Sequence, residues 1–243
     1  MKKLKLYKKD YIYLSLIAIL LAAVVALSVF LSILSQKKEK DALAYYYDQK
    51  CSAFEMNNIN ASHSQIVFIG DSITDGYKLD DYYRELSLAT YNRGIGGDTT
   101  GGVLARLDVS LFDIKPTKIV LMIGTNDINW GISKDEILNN YREILSKIKE
   151  ALPDTEVFCM SVIPQNRIFV PSDAELAKRT ETILEVNEGI KALVDSAGYS
   201  YINIFDDLSD DAGILKNEYT DDGLHLNHEG YLVWTAVLKP LLG

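Results

Sequence analysis

The feature that most constrains the fold is an apolar run that ends in a small polar turn. Residues 66–69 are apolar and rich in β-branched side chains, and they lead directly into Gly70-Asp71-Ser72. Such a run is typical of a buried parallel strand. Ser72 would then stand at the carboxyl end of the strand, where open α/β sheets place ligands and a following helix offers free backbone N–H groups. The alternative is that Asp71 and Ser72 only cap a helix.

Apolar runs continue to alternate with helical periods along the chain. We predict strands at 88–91, 118–123, 156–162 and 199–204, and helices at 99–112, 134–151, 174–197 and 228–242. This alternation predicts an α/β fold with a parallel sheet of about five strands and helices on both faces.

Charge is divided unevenly along the 243 residues. Residues 1–40 carry eight lysines against Asp10 and Glu39, which leaves 17 basic and 32 acidic side chains, a formal charge of −15, on the remaining 203 residues. A domain this acidic repels nucleic acid, so we expect no nucleic-acid partner.

The N-terminal part contains one long uncharged segment. Residues 12–34 form 23 positions without a charge, and as a helix they would span about 34 Å, enough for a bilayer core of about 30 Å. A cleavable signal peptide is the alternative, with a weak internal site at Ala26-Leu27-Ser28. Five lysines precede the segment and three follow it closely. This excess predicts a cytoplasmic N-terminus and an extracytoplasmic domain.

These patterns divide the chain into four parts. We predict a basic cytoplasmic tail at 1–11, a transmembrane helix at 12–34, an amphipathic linker at 35–63 and a globular domain at 64–243. Two cysteines are too few for a disulfide framework. Cys159 lies in an apolar run and is expected to be a buried thiol, although a bridge to Cys51 would be allowed outside the cell.

Three polar clusters follow the later strands or precede the last helix. Residues 92–100 are rich in glycines that allow a ligand to approach the backbone, but their spacing does not fit a dinucleotide fingerprint. Residues 124–127 contain Asn126, for which a turn or cap role is the alternative. In residues 221–227 a carboxylate lies three positions before a histidine, which it could orient as a base.

Together the clusters supply the parts of a nucleophilic site. Serine needs a neighbouring base, the base needs an orienting acceptor, and a developing oxyanion needs preorganised donors. Ser72, His225 and Asp222 can fill the first three roles, and Gly97 and Asn126 can supply donors.

At this point the sequence resembles a known family. The blocks around Ser72, Gly97, Asn126 and Asp222-x-x-His225 resemble the four ordered blocks of the SGNH (GDSL-type) hydrolases, over roughly residues 64–242. The sequences of these blocks are most similar to the branch that contains the catalytic subunits of intracellular platelet-activating-factor acetylhydrolase. The resemblance implies a flavodoxin-like three-layer α/β/α fold, ester hydrolysis through an acyl-serine, and neither metal nor cofactor.

The same resemblance implies a role for each matched residue. Ser72 would be the nucleophile, His225 the base and then the acid, and Asp222 the orienting carboxylate. The oxyanion hole would consist of the Ser72 and Gly97 backbone N–H groups and the Asn126 side chain. Asp221 and His228 are the neighbours most easily confused with these residues.

The sequence therefore predicts a membrane-tethered serine esterase. Its substrate would be a small acylated molecule, with a short acyl group, most simply acetyl, on an extracytoplasmic carbohydrate or lipid. A lysophospholipase or thioesterase-type acylhydrolase is an alternative. Residues 163–174, including Arg167, are expected to form one wall of the pocket.

Two other classes of protein stay open. One is a tethered binding module that has kept an esterase fold. The other is a metal-dependent phosphoesterase. Its candidate ligands would be Asp71, Asp75, Asn126, Asp127, Asp222 and His225.

Overall fold

A computed structural model describes residues 7–243 of the chain. Helix α1 (Lys8–Asn58) is continuous, where the sequence suggested a membrane span followed by a separate linker. By length and composition α1 is apolar enough to cross a membrane, although a signal sequence would satisfy the same criteria. Residues 1–6 of the predicted cytoplasmic tail lie outside the described residues.

Residues 64–243 contain a five-stranded parallel sheet, as predicted. Its strands are β1 (Ile66–Gly70), β2 (Thr90–Gly94), β3 (Lys118–Met122), β4 (Glu156–Met160) and β5 (Ser200–Ile202). They lie in the order β2-β1-β3-β4-β5, and every neighbouring pair is parallel. This is the strand order of flavodoxin-like folds.

Eight further helices surround the sheet in the described chain. They are α2 (Ser72–Asp75), α3 (Leu79–Tyr83), α4 (Thr100–Ala105), α5 (Thr125–Asn129), α6 (Lys134–Ala151), α7 (Asp173–Ala197), α8 (Phe205–Leu208) and α9 (His228–Leu242). A π-helical turn at Asp108–Phe112 and a 3-10 turn at Asn217–Tyr219 complete the described elements.

Strand β1 is buried on both faces and divides the core in two. Val67 and Ile69 pack with residues of α4, α6 and α7, whereas Ile66 and Phe68 pack with residues of α3 and α9. This alternation follows from the two-residue period of a strand. The helices therefore form a layer on each face of the sheet, which gives the three-layer α/β/α arrangement.

Two predicted elements differ from the structure. The second strand was predicted at 88–91 and is found at Thr90–Gly94, because Asn92 and Arg93 interrupt the apolar run yet are accommodated by hydrogen bonds. The helix predicted at 99–112 breaks at Arg106, whose φ of −116° departs from helical values. That arginine turns inward to bond buried backbone groups.

The last turns of α1 belong to the same compact unit as the sheet. The compact unit that contains the sheet runs from Tyr47 to Gly243, so it begins ahead of residue 64, where the sequence interpretation placed its start. Phe54 is buried, and the Tyr47 hydroxyl donates to the carbonyl of Gly102 at 2.9 Å. Of the two cysteines, Cys159 is a buried free thiol and Cys51 a half-buried one.

Candidate active site

The proposed nucleophile lies in the first turn of α2, directly after β1. Asp71 caps this helix, since its Oδ1 accepts a hydrogen bond from the Ile73 N–H at 3.0 Å. The Ser72 Oγ is 2.8 Å from the His225 Nε2. The helix-cap interpretation is thus correct for Asp71, while Ser72 is placed against the histidine.

His225 is oriented by Asp222 in the loop before α9. The His225 Nδ1 is 2.6 Å from the Asp222 Oδ2, and the Asp222 Oδ1 accepts the backbone N–H groups of Leu224 at 2.9 Å and His225 at 2.8 Å. Partial burial raises the pKa of Asp222, but the bonds from the His225 ring and backbone outweigh it and lower the pKa to about 2. An ionised carboxylate favours a proton on Nδ1, which leaves Nε2 as the acceptor for the serine hydroxyl.

Gly223 allows the loop after β4 to pack against the loop that carries Asp222 and His225. Its φ is 86°, and a side-chain carbon placed on it would lie 2.6 Å from the Phe169 N and 3.0 Å from the Ile168 Cβ. Residues 166–169 therefore pack against the loop that carries His225, with Ile168 and Phe169 exposed. Arg167 forms an exposed ion pair with Asp173.

Two donor residues of the predicted oxyanion hole are also brought together. Gly97 lies in the turn after β2 with a φ of 78°, and Asn126 lies in the first turn of α5. The Asn126 Nδ2 donates to the carbonyl of Asp98, the residue after Gly97, at 2.8 Å. An amide nitrogen carries a second hydrogen, which is available to a further acceptor.

Two residues support the site through hydrogen bonds that the sequence interpretation did not predict. The Asp127 carboxylate accepts bonds from the Thr100 N–H, at 3.0 Å, and from its hydroxyl, which ties α5 to α4. The Asn92 Nδ2 donates to the carbonyls of Thr74 at 2.6 Å and Tyr77 at 2.9 Å. Both lie in the motif blocks, but their partners are distant in sequence.

A buried ion pair between Arg106 and Asp98 is the main support that sequence reasoning missed. The Nε–Oδ2 distance is 2.8 Å, and the two side chains are only 1% and 2% exposed. Burial raises the pKa of Asp98 despite the opposing effect of Arg106. A charged residue at an apolar position of the predicted helix was the one signal that could have indicated this pair.

The neighbouring candidates have other partners. His228 begins α9, and its Nδ1 bonds the Tyr82 hydroxyl at 2.9 Å. Asp222, rather than Asp221, meets His225.

Asp75, a candidate ligand of the metal alternative, pairs with Lys50 at 2.6 Å. Among residues 7–243, no group of three or more His, Cys, Asp or Glu side chains is placed to hold a metal ion.

The order of these blocks can be compared with known families. Residues 68–233 match the model of the GDSL-like lipase/acylhydrolase family, which is more than half of the chain. The chain belongs to this family. It is therefore a GDSL-type ester hydrolase, and the resemblance drawn from the sequence is confirmed.

Curated relatives point in the same direction. The chain is 30% identical over 187 residues to the platelet-activating factor acetylhydrolase IB subunit alpha1 of Bos taurus, covering 73% of the chain and 75% of the relative. It is 31% identical over 185 residues to the alpha2 subunit of Gallus gallus, covering 72% and 73%.

Solved structures share the fold. A structure from Streptococcus pneumoniae, described as a platelet activating factor, aligns with a TM-score of 0.79 and 32% identity and covers 86% of this chain and 99% of that one. A GDSL-like lipase from Bacteroides thetaiotaomicron aligns with a TM-score of 0.69 over 79% of this chain and 96% of that one. At 23% identity, the second shows likeness of fold alone.

Asp71 makes the stability of the protein dependent on pH. It is fully buried, its Oδ2 has no hydrogen-bond partner among the described residues, and burial raises its pKa to about 7. An unfolded aspartate titrates near pH 3.9, so the native state binds more protons between these values. The stability that this group contributes is complete below about pH 4 and is lost as the pH rises toward 7.

We therefore expect Asp71→Asn to gain thermal stability relative to the parent as the pH rises from about 5 to about 8. Asparagine is uncharged at each pH and keeps the acceptor for the Ile73 N–H. Thermal unfolding of both proteins at the two pH values measures the effect, with the exposed Asp154→Asn as a control. A difference in melting temperature that does not change with pH would contradict the prediction.

Proposed function

We propose that the protein is a membrane-tethered serine esterase that removes a short acyl group, most simply acetyl, from an extracytoplasmic carbohydrate or lipid. The observation that carries the proposal is the continuous chain of contacts from the Ser72 Oγ to the His225 Nε2, at 2.8 Å, and from the His225 Nδ1 to Asp222, at 2.6 Å. A nucleophile, a base and an orienting carboxylate in this geometry are the requirement for acyl transfer to serine.

In the first half of the reaction, the His225 Nε2 takes the proton of Ser72 as its Oγ attacks the ester carbonyl. The ionised Asp222 stabilises the imidazolium that forms. His225 then gives this proton to the departing alcohol, and the acyl group stays on Ser72. In the second half, His225 takes a proton from water as the water attacks the acyl-serine. His225 then returns this proton to the Ser72 Oγ as the bond to the acyl carbon breaks, which releases the acid and restores the free serine.

The negative charge that develops on the carbonyl oxygen would be stabilised by three donors. These are the backbone N–H groups of Ser72 and Gly97 and the second amide hydrogen of Asn126. The Ser72 N–H lies in the first turn of α2, where helix N–H groups have no helical partner. The contact of Asn126 with the carbonyl of Asp98 supports the assignment, because it holds the amide beside the Gly97 turn.

The acyl group is inferred from the relatives. Curated relatives of about 30% identity are named acetylhydrolases, which supports a short acyl chain. A lysophospholipase or thioesterase-type acylhydrolase, which would accept a longer chain, is the second candidate. A series of 4-nitrophenyl esters of increasing acyl length separates the two.

Membrane tethering is inferred from the apolar part of α1. Residues 12–34 carry no charge, and the lysine excess precedes them. We infer that they span the cell membrane once, with the N-terminus in the cytoplasm and the catalytic part, residues 47–243, outside.

We expect Ser72→Ala to abolish esterase activity and to leave thermal unfolding nearly unchanged, because it removes the attacking oxygen and little else. A fluorophosphonate probe should label the parent at Ser72 and leave the alanine variant unlabelled. The exposed Ser133→Ala, at the cap of α6, should keep full activity. Retained activity in Ser72→Ala that is lost only with a chelator would instead support the metal-dependent phosphoesterase.

Asn126→Ala should lower kcat by about 10² to 10³, since removal of one oxyanion donor has this effect elsewhere. KM should change less, because the charge exists only in the transition state. Steady-state kinetics on 4-nitrophenyl acetate measure both constants. Asn139→Ala, on the exposed face of α6, is the matched control. A normal kcat with a raised KM would mean that Asn126 binds the substrate and does not stabilise the oxyanion.

The topology makes a separate prediction. Protease added to intact cells should remove the catalytic part, because we place it outside the membrane. A cytoplasmic marker protein, which should survive until the cells are lysed, controls for leakage. Cleavage of the catalytic part only after lysis would refute the orientation without affecting the catalytic assignments.

A further inference from the structure

A single buried guanidinium group connects the two segments that carry the proposed backbone donors. The Arg106 Nη2 donates to the carbonyl of Gly70, at the end of β1, at 3.0 Å. Its Nη1 donates to the carbonyl of Arg93, near the end of β2, at 2.8 Å, and its Nε bonds Asp98 at 2.8 Å. Gly70 lies two residues before Ser72, and Asp98 directly follows Gly97.

The shape of the guanidinium group suits it to fixing the distance between the segments that carry Ser72 and Gly97. A guanidinium is planar and directs its N–H groups in a rigid fork, so acceptors on different segments are held in set positions. The Arg106–Asp98 pair is almost fully buried. The low dielectric of the protein interior strengthens hydrogen bonds in such a position. A lysine at this position would keep the charge but would lack the fork.

The last turns of α1 cover this cluster. The ring of Phe54 lies 4.7 Å from the Arg93 Cζ and 6.0 Å from the Arg106 Cζ. The Asn58 Oδ1 accepts a bond from the Arg93 Nη2 at 2.7 Å. Both α1 residues lie outside residues 68–233, which match the family model. The supports of the site therefore extend beyond the matched family segment.

We propose that Arg106, held by Asp98 and lying beside Phe54 of α1, is a positioning residue that sets the separation of the Ser72 and Gly97 backbone N–H groups in the oxyanion hole. Asn58 of α1 acts through Arg93, whose carbonyl accepts a bond from Arg106. This inference rests on the proposed esterase function. The stabilisation that a donor gives to the oxyanion depends strongly on where the donor lies, and a displacement of about 1 Å can lower the rate by about 10². We expect this loss to appear in kcat, because the donors stabilise the ground state less than the transition state.

The first test is Arg106→Lys in the full-length protein. We expect kcat on 4-nitrophenyl acetate to fall by about 10- to 100-fold, with KM within about twofold of the parent. Rates are expressed per active site, counted by fluorophosphonate titration, so that a loss of folded protein does not count as a loss of kcat. Arg142→Lys, on the exposed face of α6, is the control and should match the parent.

A milder pair of variants tests the contribution of α1. Asn58→Ala removes the acceptor of Arg93 and should lower kcat per active site by about threefold to tenfold. The neighbouring Asn57→Ala, whose side chain is exposed, should leave kcat unchanged. Equal effects from the two variants would overturn the part assigned to α1.

A double-mutant cycle links Arg106 to the oxyanion hole. If both residues serve the same hole, the effects of Arg106→Lys and Asn126→Ala on kcat should be clearly less than additive. Additive effects, or a normal kcat per active site in Arg106→Lys beside an impaired Asn126→Ala, would overturn the positioning role alone. Ser72→Ala without activity and Asn126→Ala with full activity would overturn the oxyanion assignment on which it rests.

Discussion

Parallel pairing is the constraint on which the site depends, because it brings the carboxyl ends of all strands to one edge. Gly70 of β1 pairs with Gly94 of β2 on one side and with Met122 of β3 on the other. The three strands therefore end level with one another. Residues that are far apart in sequence, such as Ser72 and Asn126, follow adjacent strand ends and therefore lie at the same edge of the sheet.

The level ends also bring backbone segments into close contact. A side-chain carbon on Gly94 would lie 2.6 Å from the Asp75 Cα, so only glycine lets α2 pack against β2. Polar groups are also buried next to these strand ends, and the Arg106–Asp98 pair is one of them. Such a pair is weak evidence for stability, but removal of one partner leaves a buried charge that typically costs about 3–5 kcal/mol.

The sequence was most informative where periodicity or a motif block was strong. The five strands, the long helices α6, α7 and α9, and the family were predicted correctly, because apolar periods record burial on each face. The other strand boundaries agreed within two residues. The edge strand β2 was displaced because Asn92 and Arg93 are satisfied by hydrogen bonds that no apolar pattern records. The short helices α2, α3, α5 and α8 contain too few residues to show a period.

Long-range polar contacts were beyond the reach of the sequence. Asp127 was read as a candidate ligand, yet its partner is Thr100 on another helix. Phe54 was read as part of a linker, yet it packs on arginines almost 40 residues or more away. In both cases the residue type was visible but the partner was set by the tertiary fold. The motif blocks predicted more of the candidate site than local sequence patterns did. They contain the proposed catalytic residues as well as residues, such as Asp127, that hold the site in place.

One property of the proposed catalytic pair bears on the fate of the acyl group. The side chains of His225 and Asp222 are 42% and 54% exposed, while the carboxylates that support the site, Asp98 and Asp127, are buried. Solvent therefore has access to the side chain of the proposed base, and an acyl-serine formed at Ser72 would be open to attack from water as soon as the alcohol departs. An arrangement of this kind favours hydrolysis over transfer of the acyl group to a second alcohol, because a competing acceptor would have to displace solvent that already has access to the base.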